Sequence, residues 1–115
     1  MTEGQFTRKL LTALRKHPAL AKAVVWKISD RWTAGIPDFC VIHSPLATFF
    51  EVKVVPNFLT KLQAVMLDRI GKRAYLIQAN RFQEVTVAHR SDGTICYNEK
   101  FDEAVRIIAA LCVSV

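Results

Sequence analysis

Two short apolar segments near the middle of the chain constrain its fold more than any other feature of the sequence. They are residues 39–42 (FCVI) and 49–55, and the pair Ser44-Pro45 lies between them. Runs of this length, rich in β-branched and aromatic residues, are typical of buried strands, and a Ser-Pro pair is typical of a turn. The sequence therefore predicts two neighbouring strands, 36–42 and 48–55, joined by a short connection.

The rest of the chain predicts alternating helices and strands. Apolar residues at helical spacing predict helices over 3–16 and 59–70, the second closed by Gly71, and a last helix that begins near Asn98. Further strands are predicted over 24–28 and 74–78, followed by a hairpin of 84–88 and 94–97. The order α-β-β-β-α-β, then hairpin and helix, predicts an α/β fold with one mixed sheet flanked by helices.

Composition narrows the class of protein. At 115 residues the chain is expected to form a single domain, 1–115. A hydrophobic content of 51%, with four glycines and four prolines, excludes a disordered protein. The apolar runs are far shorter than the roughly 20 residues that span a bilayer, and the segment MTEGQFTRKL lacks the pattern of a secretory signal. We therefore expect a soluble intracellular protein without a membrane partner.

The charge of the chain is uneven. Residues 1–90 carry fourteen basic and six acidic side chains, whereas residues 91–115 carry two and four. A basic body predicts a polyanionic partner such as nucleic acid, because lysines and arginines that neutralise phosphates release counterions. A surface charge that only keeps the protein soluble explains the same count equally well. The three cysteines and three histidines match no disulfide or metal-ligand spacing, and no small-molecule cofactor is expected.

Three charged residues interrupt the two central strands. Asp38 follows Pro37, and Glu51 and Lys53, two residues apart, are expected on the same face of the next strand. Charges in an apolar strand are costly unless they are paired or bind a metal. Asp38 and Glu51 can hold Mg²⁺ or Mn²⁺ together with the backbone carbonyl of Val52, and Lys53 can orient or help to deprotonate a bound water. A salt bridge of Lys53 with either acid is the structural alternative.

These residues resemble a known family. Pro37-Asp38, followed by Glu51-x-Lys53 on a hairpin after an N-terminal helix, resembles the PD-(D/E)XK nuclease superfamily, which includes restriction enzymes and archaeal-type Holliday junction resolvases. The segments GIPD (35–38), FFEVK (49–53) and LTKLQ (59–63) resemble more narrowly its virus-type replication-repair (VRR-NUC) domain, over roughly residues 3–78. The segment from Arg81 onward lies outside this resemblance.

The resemblance carries expectations about fold and activity. It implies a restriction-endonuclease-like αβββαβ core and a Mg²⁺-dependent endonuclease. Small stand-alone members of the family are often homodimers and can cleave branched DNA, such as a Holliday junction or a flap. Two competing functions are a nucleic-acid-binding module that has lost catalysis and an interaction subunit of a replication or repair complex. Metal-dependent cleavage separates the endonuclease from both competing functions.

Two more residues gain a role from the resemblance. The family often places an acid in the first helix near the metal and a glutamine beside the site, at positions that correspond to Glu3 and Gln63. At about 100° per residue, Glu3 shares the core-facing stripe of its helix with Leu10, and Gln63 shares an inner face with Met66 and Leu67. The alternatives are a glutamate favoured by the helix dipole and a glutamine that caps a backbone group.

Five residues are candidates for contact with nucleic acid. Lys27, Arg31 and Trp32 precede Asp38, while Lys61 and Arg69 lie on the predicted second helix. The basic groups can hold phosphates, and Trp32 can stack on a base. Solvated lysines and a core tryptophan are the alternatives.

Overall fold

Six strands lie in one mixed sheet in the same order as in the chain. The computed structural model describes residues 1–29 and 32–114, and its strands are β1 (Val24–Lys27), β2 (Phe39–His43), β3 (Leu46–Val54), β4 (Ala74–Ala79), β5 (Val85–His89) and β6 (Gly93–Glu99). Neighbouring strands pair antiparallel, except that β3 and β4 are parallel. A parallel pair needs a crossover, and the chain between β3 and β4 supplies it as a helix.

Three α-helices flank this sheet. They are α1 (Glu3–Lys16), α2 (Lys61–Ile70) and α3 (Phe101–Val113). The side chains of α1 and α3 form the main core with Phe50 and Val52 of β3. Because side chains alternate across a strand, Glu51 and Lys53 point to the opposite face, where α2 packs. The predicted mixed sheet flanked by helices is confirmed. Within the described residues, no helix is both long and apolar enough to cross a membrane.

The start of β2 differs from the prediction. The strand begins at Phe39 instead of residue 36, so Asp38 precedes the strand and does not lie inside it. Pro37 has no N–H for the ladder, and the carbonyl of Asp38 accepts hydrogen bonds from both Ile28 and Ser29, at 3.0 and 3.2 Å. These bonds end the regular pairing with β1.

Two helices begin later than predicted. The N-cap of α2 is Thr60, whose side chain accepts a hydrogen bond from the N–H of Gln63 at 3.1 Å. The last helix begins at Phe101 instead of near Asn98, because Asn98 still belongs to β6, where it has a φ of +50°. The predicted start at Asn98 was therefore wrong. Helix α1 spans the predicted residues, and Gly71 ends α2 as expected.

Arg73 ties the end of α3 to the sheet. Its guanidinium donates hydrogen bonds to the carbonyls of Leu111, Cys112 and Ser114, at 3.0, 3.2 and 2.9 Å. It also donates to the hydroxyl of Thr48, which is fully buried in β3. The last carbonyls of a helix lack partners within the helix, so one side chain supplies the missing donors.

We expect Arg73→Met to lower the free energy of unfolding by about 2–4 kcal/mol, because several acceptors lose a charged donor. Urea unfolding measures the change. Lys72→Met is the matched control, since Lys72 is the exposed neighbour and loses the same charge. Equal stability of the two variants would show that the hydrogen bonds of Arg73 do not stabilise the end of α3.

Candidate active site

Asp38 and Glu51 meet at the end of the β2–β3 pairing. The last paired residues are Phe39 and Phe50, and an extension of this register by one residue brings Asp38 opposite Glu51. The Asp38 carboxylate turns to the backbone of the next residue and accepts a hydrogen bond from the N–H of Val52 at 2.7 Å. The two acids that the sequence places thirteen positions apart are therefore neighbours.

Strand β3 continues beyond Phe50, which pairs with the first residue of β2, so among the described residues the flank of β3 from Glu51 to Val54 has no neighbouring strand on the β2 side. Two carboxylates occupy this uncovered flank. The N–H groups of Val52 and Val54 point to this flank. Asp38 accepts the first at 2.7 Å and Glu3 accepts the second at 3.5 Å. In a strand, the carbonyl of a residue points the same way as its N–H. The Val52 carbonyl thus faces the same flank, where Pro37, the residue in register, has no N–H to donate.

Glu51 is a buried carboxyl beside another carboxyl. Its side chain is 3% exposed, and the Nε2 of Gln63 donates to its Oε2 at 3.4 Å. Burial raises the pKa of Glu51 to about 9, and the hydrogen bond and negative charge of Asp38 add to this rise. Glu3 also raises the pKa of Glu51, whereas the charge of Lys53 lowers it. Burial and the neighbouring acids therefore oppose ionisation of Glu51, and the charge of Lys53 offsets this effect only in part.

Lys53 lies on the same face of β3 as Glu51 and is 8% exposed. Among residues 1–29 and 32–114, no acid forms an ion pair with Lys53 within 4.0 Å. The salt bridge that the sequence left open is absent there. A buried ammonium that is not committed to a carboxylate can act on a group that enters the site.

Gln63 makes contacts on two sides, one with the start of α2 and one with Glu51. Its Oε1 accepts a hydrogen bond from the N–H of Thr60 at 2.9 Å and completes the capping box at the start of α2. Its amide nitrogen points to Glu51. The start of α2 and the orientation of the Glu51 carboxyl therefore depend on the same side chain.

Glu3 reaches the end of β3 from the first turn of α1. Besides the N–H of Val54, its Oε2 accepts a hydrogen bond from the side chain of Asn57 at 2.7 Å. Sequence analysis missed Asn57, because Pro56-Asn57 reads only as the end of a strand. The sequence holds only a weak signal for Asn57, namely an amide side chain shortly after the Glu-x-Lys strand. This amide can reach Glu3 only if the chain turns after the strand.

The donor set fits one hard divalent cation. Two carboxylates, of Asp38 and Glu51, and the carbonyl of Val52 offer oxygen ligands, and Mg²⁺ usually takes only one or two protein carboxylates and keeps several waters. In the described part of the chain, no three acidic, histidine or cysteine side chains are grouped closely enough to hold an ion by themselves. Glu3, engaged by Val54 and Asn57, lies beside this donor set.

The candidate nucleic-acid contacts lie at the surface. Lys27 ends β1, Lys61 and Arg69 lie on α2, and all three are exposed. Trp32 is 81% exposed, so the alternative of a core tryptophan is wrong. Arg31 lies outside the described residues.

Gly35 allows the loop before Asp38 to pack against α2. A Cβ at this position would come within 2.8 Å of Leu62 and 3.1 Å of Met66, and its φ of +84° favours glycine. The loop that carries Trp32 is thus placed against the helix that carries Gln63.

Known proteins resemble this chain in fold. The structure is similar to that of a Holliday junction resolvase. This is Hjc of the archaeal hyperthermophile Archaeoglobus fulgidus, with a TM-score of 0.55, 18% sequence identity, and coverage of 91% of this chain and 92% of that chain. No family model matches the sequence, and no curated protein does. A coverage of 91% includes residues beyond β4, so part of the segment from Arg81 onward takes part in the shared restriction-endonuclease-like fold.

The raised pKa of Glu51 predicts how stability depends on pH. The folded chain keeps a proton on Glu51 up to about pH 9, whereas the unfolded chain releases it near the ordinary value of 4.5. Without divalent metal, the free energy of unfolding should therefore fall as the pH rises between these two values. Glu51→Gln should remove this slope and be the more stable protein near pH 9.

Urea unfolding in EDTA between pH 5 and pH 9 measures this effect. Glu103→Gln is the control, because Arg106 lowers the pKa of Glu103 and places its titration below this range. A slope that is the same in Glu51→Gln and in the wild type would exclude Glu51 as the titrating group.

Proposed function

We propose that this chain is a metal-dependent endonuclease that hydrolyses DNA phosphodiester bonds in branched substrates such as a Holliday junction or a flap. The observation that carries the proposal is the pairing of Asp38 with the buried Glu51, beside a Lys53 that no acid of the described residues engages in an ion pair. A buried acid that has a raised pKa and faces a second acid is unfavourable in a site that meets only polyanions, unless a cation joins the two acids. This argues against a binding module that has lost catalysis.

Each residue has a distinct task in the proposed reaction. Asp38, Glu51 and the Val52 carbonyl would hold Mg²⁺ or Mn²⁺, which when bound polarises a phosphodiester and lowers the pKa of a bound water. Gln63 orients the Glu51 carboxyl through its amide, and Asn57 orients Glu3. Lys53 orients the attacking water and offsets negative charge that develops on the phosphate.

The proposed substrate and family draw on different support. The similarity in fold to a Holliday junction resolvase and the net charge of +6 support a nuclease that acts on branched DNA. The motifs GIPD, FFEVK and LTKLQ support the narrower VRR-NUC assignment of residues 1–115 as one nuclease domain. Lys27, Arg31, Trp32, Lys61 and Arg69 are the proposed contacts to DNA.

We expect Asp38→Asn and Glu51→Gln each to lower cleavage at least about a thousandfold, because loss of a ligand charge removes the several kcal/mol that a metal contributes. The amide oxygen that Asp38→Asn introduces can still accept the N–H of Val52, so the fold should survive. DNA binding should be kept, and in EDTA Asp38→Asn should bind DNA at least as tightly as the wild type, because there a negative charge that faces phosphate is lost without the loss of a cation.

Linear, flap and four-way DNA in Mg²⁺, Mn²⁺ or EDTA provide the assay. Asp102→Asn is the control, since Asp102 is an exposed acid in the first turn of α3. Cleavage at the wild-type rate by either site variant, or undiminished cleavage in EDTA, would refute the assigned site.

We expect Lys53→Ala to bind DNA and to melt near the wild-type temperature in Mg²⁺, because Lys53 forms no ion pair within the described residues and a bound cation supplies counter-charge. Its cleavage should be at least about a hundredfold slower, as for loss of a positioned catalytic group. Lys100→Ala, which removes an exposed lysine before α3, should change neither property. Normal cleavage, or a loss of stability that Mg²⁺ does not restore, would favour a structural role of Lys53.

We also propose a homodimer, because symmetric cleavage of two strands needs two active sites and one chain of 13.0 kDa offers one. Light scattering in moderate salt, with and without four-way DNA, should give a protein mass near twice that of one chain. A monomer in both samples would exclude paired incision and leave a nicking activity.

A further inference from the structure

Two exposed phenylalanines lie in the loops that follow the C-terminal ends of β3 and β4. Phe58 is 75% exposed and Phe82 is 68% exposed. Strands β3 and β4 are parallel neighbours about 4.8 Å apart, with Val54 beside Ala79. The loops 55–60 and 80–84 therefore begin side by side at the same end of the sheet. A hydrogen bond from the N–H of Val55 to the carbonyl of Ala79, at 2.9 Å, continues the pairing into these loops.

The loop that presents Phe82 is held by its own hydrogen bonds. The Oδ1 of Asn80 accepts from the N–H groups of Phe82 and Glu84, at 2.9 and 3.0 Å. The Nζ of Lys9 donates to the side chain of Gln83 at 3.2 Å and ties the loop to α1. Phe82 is thus displayed by an ordered turn, although its ring remains at the surface.

The loop that presents Phe58 is held on both sides. The N–H of Asn57 donates to the carbonyl of Val54 at 3.0 Å, and its side chain donates to Glu3. Thr60, two residues after Phe58, caps α2. An exposed aromatic side chain on an ordered backbone is suited to bind a flat partner, since the loop need not become ordered on binding.

A cation lies beside the Phe82 ring. The guanidinium of Arg81 lies 4.8 Å from the centre of the Phe82 ring, and Arg81 is exposed. The one acid of this loop, Glu84, accepts a hydrogen bond from Asn80 at 2.9 Å. Aromatic rings beside a cation are the combination that binds the bases and phosphates of single-stranded nucleic acid.

We propose that Phe58 and Phe82 stack on unpaired bases of a DNA strand as it leaves the active site, with Arg81 on a neighbouring phosphate. Asn57 connects the two regions, because it bonds to Glu3 and directly precedes Phe58. Such a surface selects a branch with unpaired nucleotides over continuous duplex. This inference rests on the proposed endonuclease function and names the substrate feature that it recognises.

Binding by the full-length Glu51→Gln variant in Mg²⁺ tests the inference without cleavage. The probes are a branched DNA with 2-aminopurine in an unpaired segment at the branch and a continuous duplex of the same sequence. Binding should quench the fluorescence of the branched probe. Adding Phe58→Ala or Phe82→Ala should remove the quenching and weaken binding to the branched probe at least about fivefold, with duplex affinity kept within about twofold.

A control matches the phenylalanine substitutions, and a further variant with its own control tests Arg81. Tyr97→Ala removes an aromatic ring that is 72% exposed on β6, three strands from β3, and should have no effect. Arg81→Ala should weaken binding and make it less sensitive to salt. Lys72→Ala is the control for Arg81→Ala, because Lys72 is an exposed lysine just before the start of β4, and it should not change the binding.

The outcomes separate this inference from the function on which it rests. A Phe58→Ala/Phe82→Ala variant with full affinity and quenching, or one that loses duplex binding equally, overturns the stacking surface even if the wild type cleaves DNA. Quenching that depends on both rings, in a wild-type protein that cleaves no DNA, supports the stacking surface and contradicts the endonuclease.

Discussion

Beyond Phe50, strand β3 continues without β2 beside it, and the backbone groups on that flank need other partners. Carboxylates fill this need: Asp38 accepts the N–H of Val52, and Glu3 accepts the N–H of Val54. A buried backbone N–H without a partner would cost about as much as a lost hydrogen bond. Because β2 begins only after Pro37-Asp38, backbone bonding brings acidic side chains to the uncovered flank of β3.

This arrangement creates an electrostatic conflict that the proposed chemistry can use. Glu51 lies in register with Asp38, and burial beside that second acid raises the pKa of Glu51 to about 9. Lys53 lies two residues along the strand and, within the described residues, bonds to neither acid. A divalent cation would relieve the repulsion and leave Lys53 free for the phosphate. The same geometry that satisfies the backbone thereby brings the proposed metal ligands together.

The sequence could predict most of this because the decisive signals are local. Apolar runs and helical spacing located the sheet and helices, and the residues 38, 51 and 53 stood out as charges among apolar neighbours. The contribution of Asn57 and the dual role of Gln63 could not be predicted, because both depend on where the chain turns after β3. Exposed rings such as Phe58 and Phe82 were missed because an apolar residue in a sequence is usually assigned to the core.

We propose that the uncovered flank of β3 binds a divalent cation, and paramagnetic broadening by Mn²⁺ detects such binding at individual residues. In amide NMR spectra of the wild-type protein, substoichiometric Mn²⁺ should broaden the signals of Val52 and Val54 first and leave those of Ile95 and Tyr97, on the distant strand β6, sharp. Asp38→Asn should abolish this selectivity. Broadening centred on another part of the molecule, or equal broadening in Asp38→Asn, would contradict cation binding at this flank.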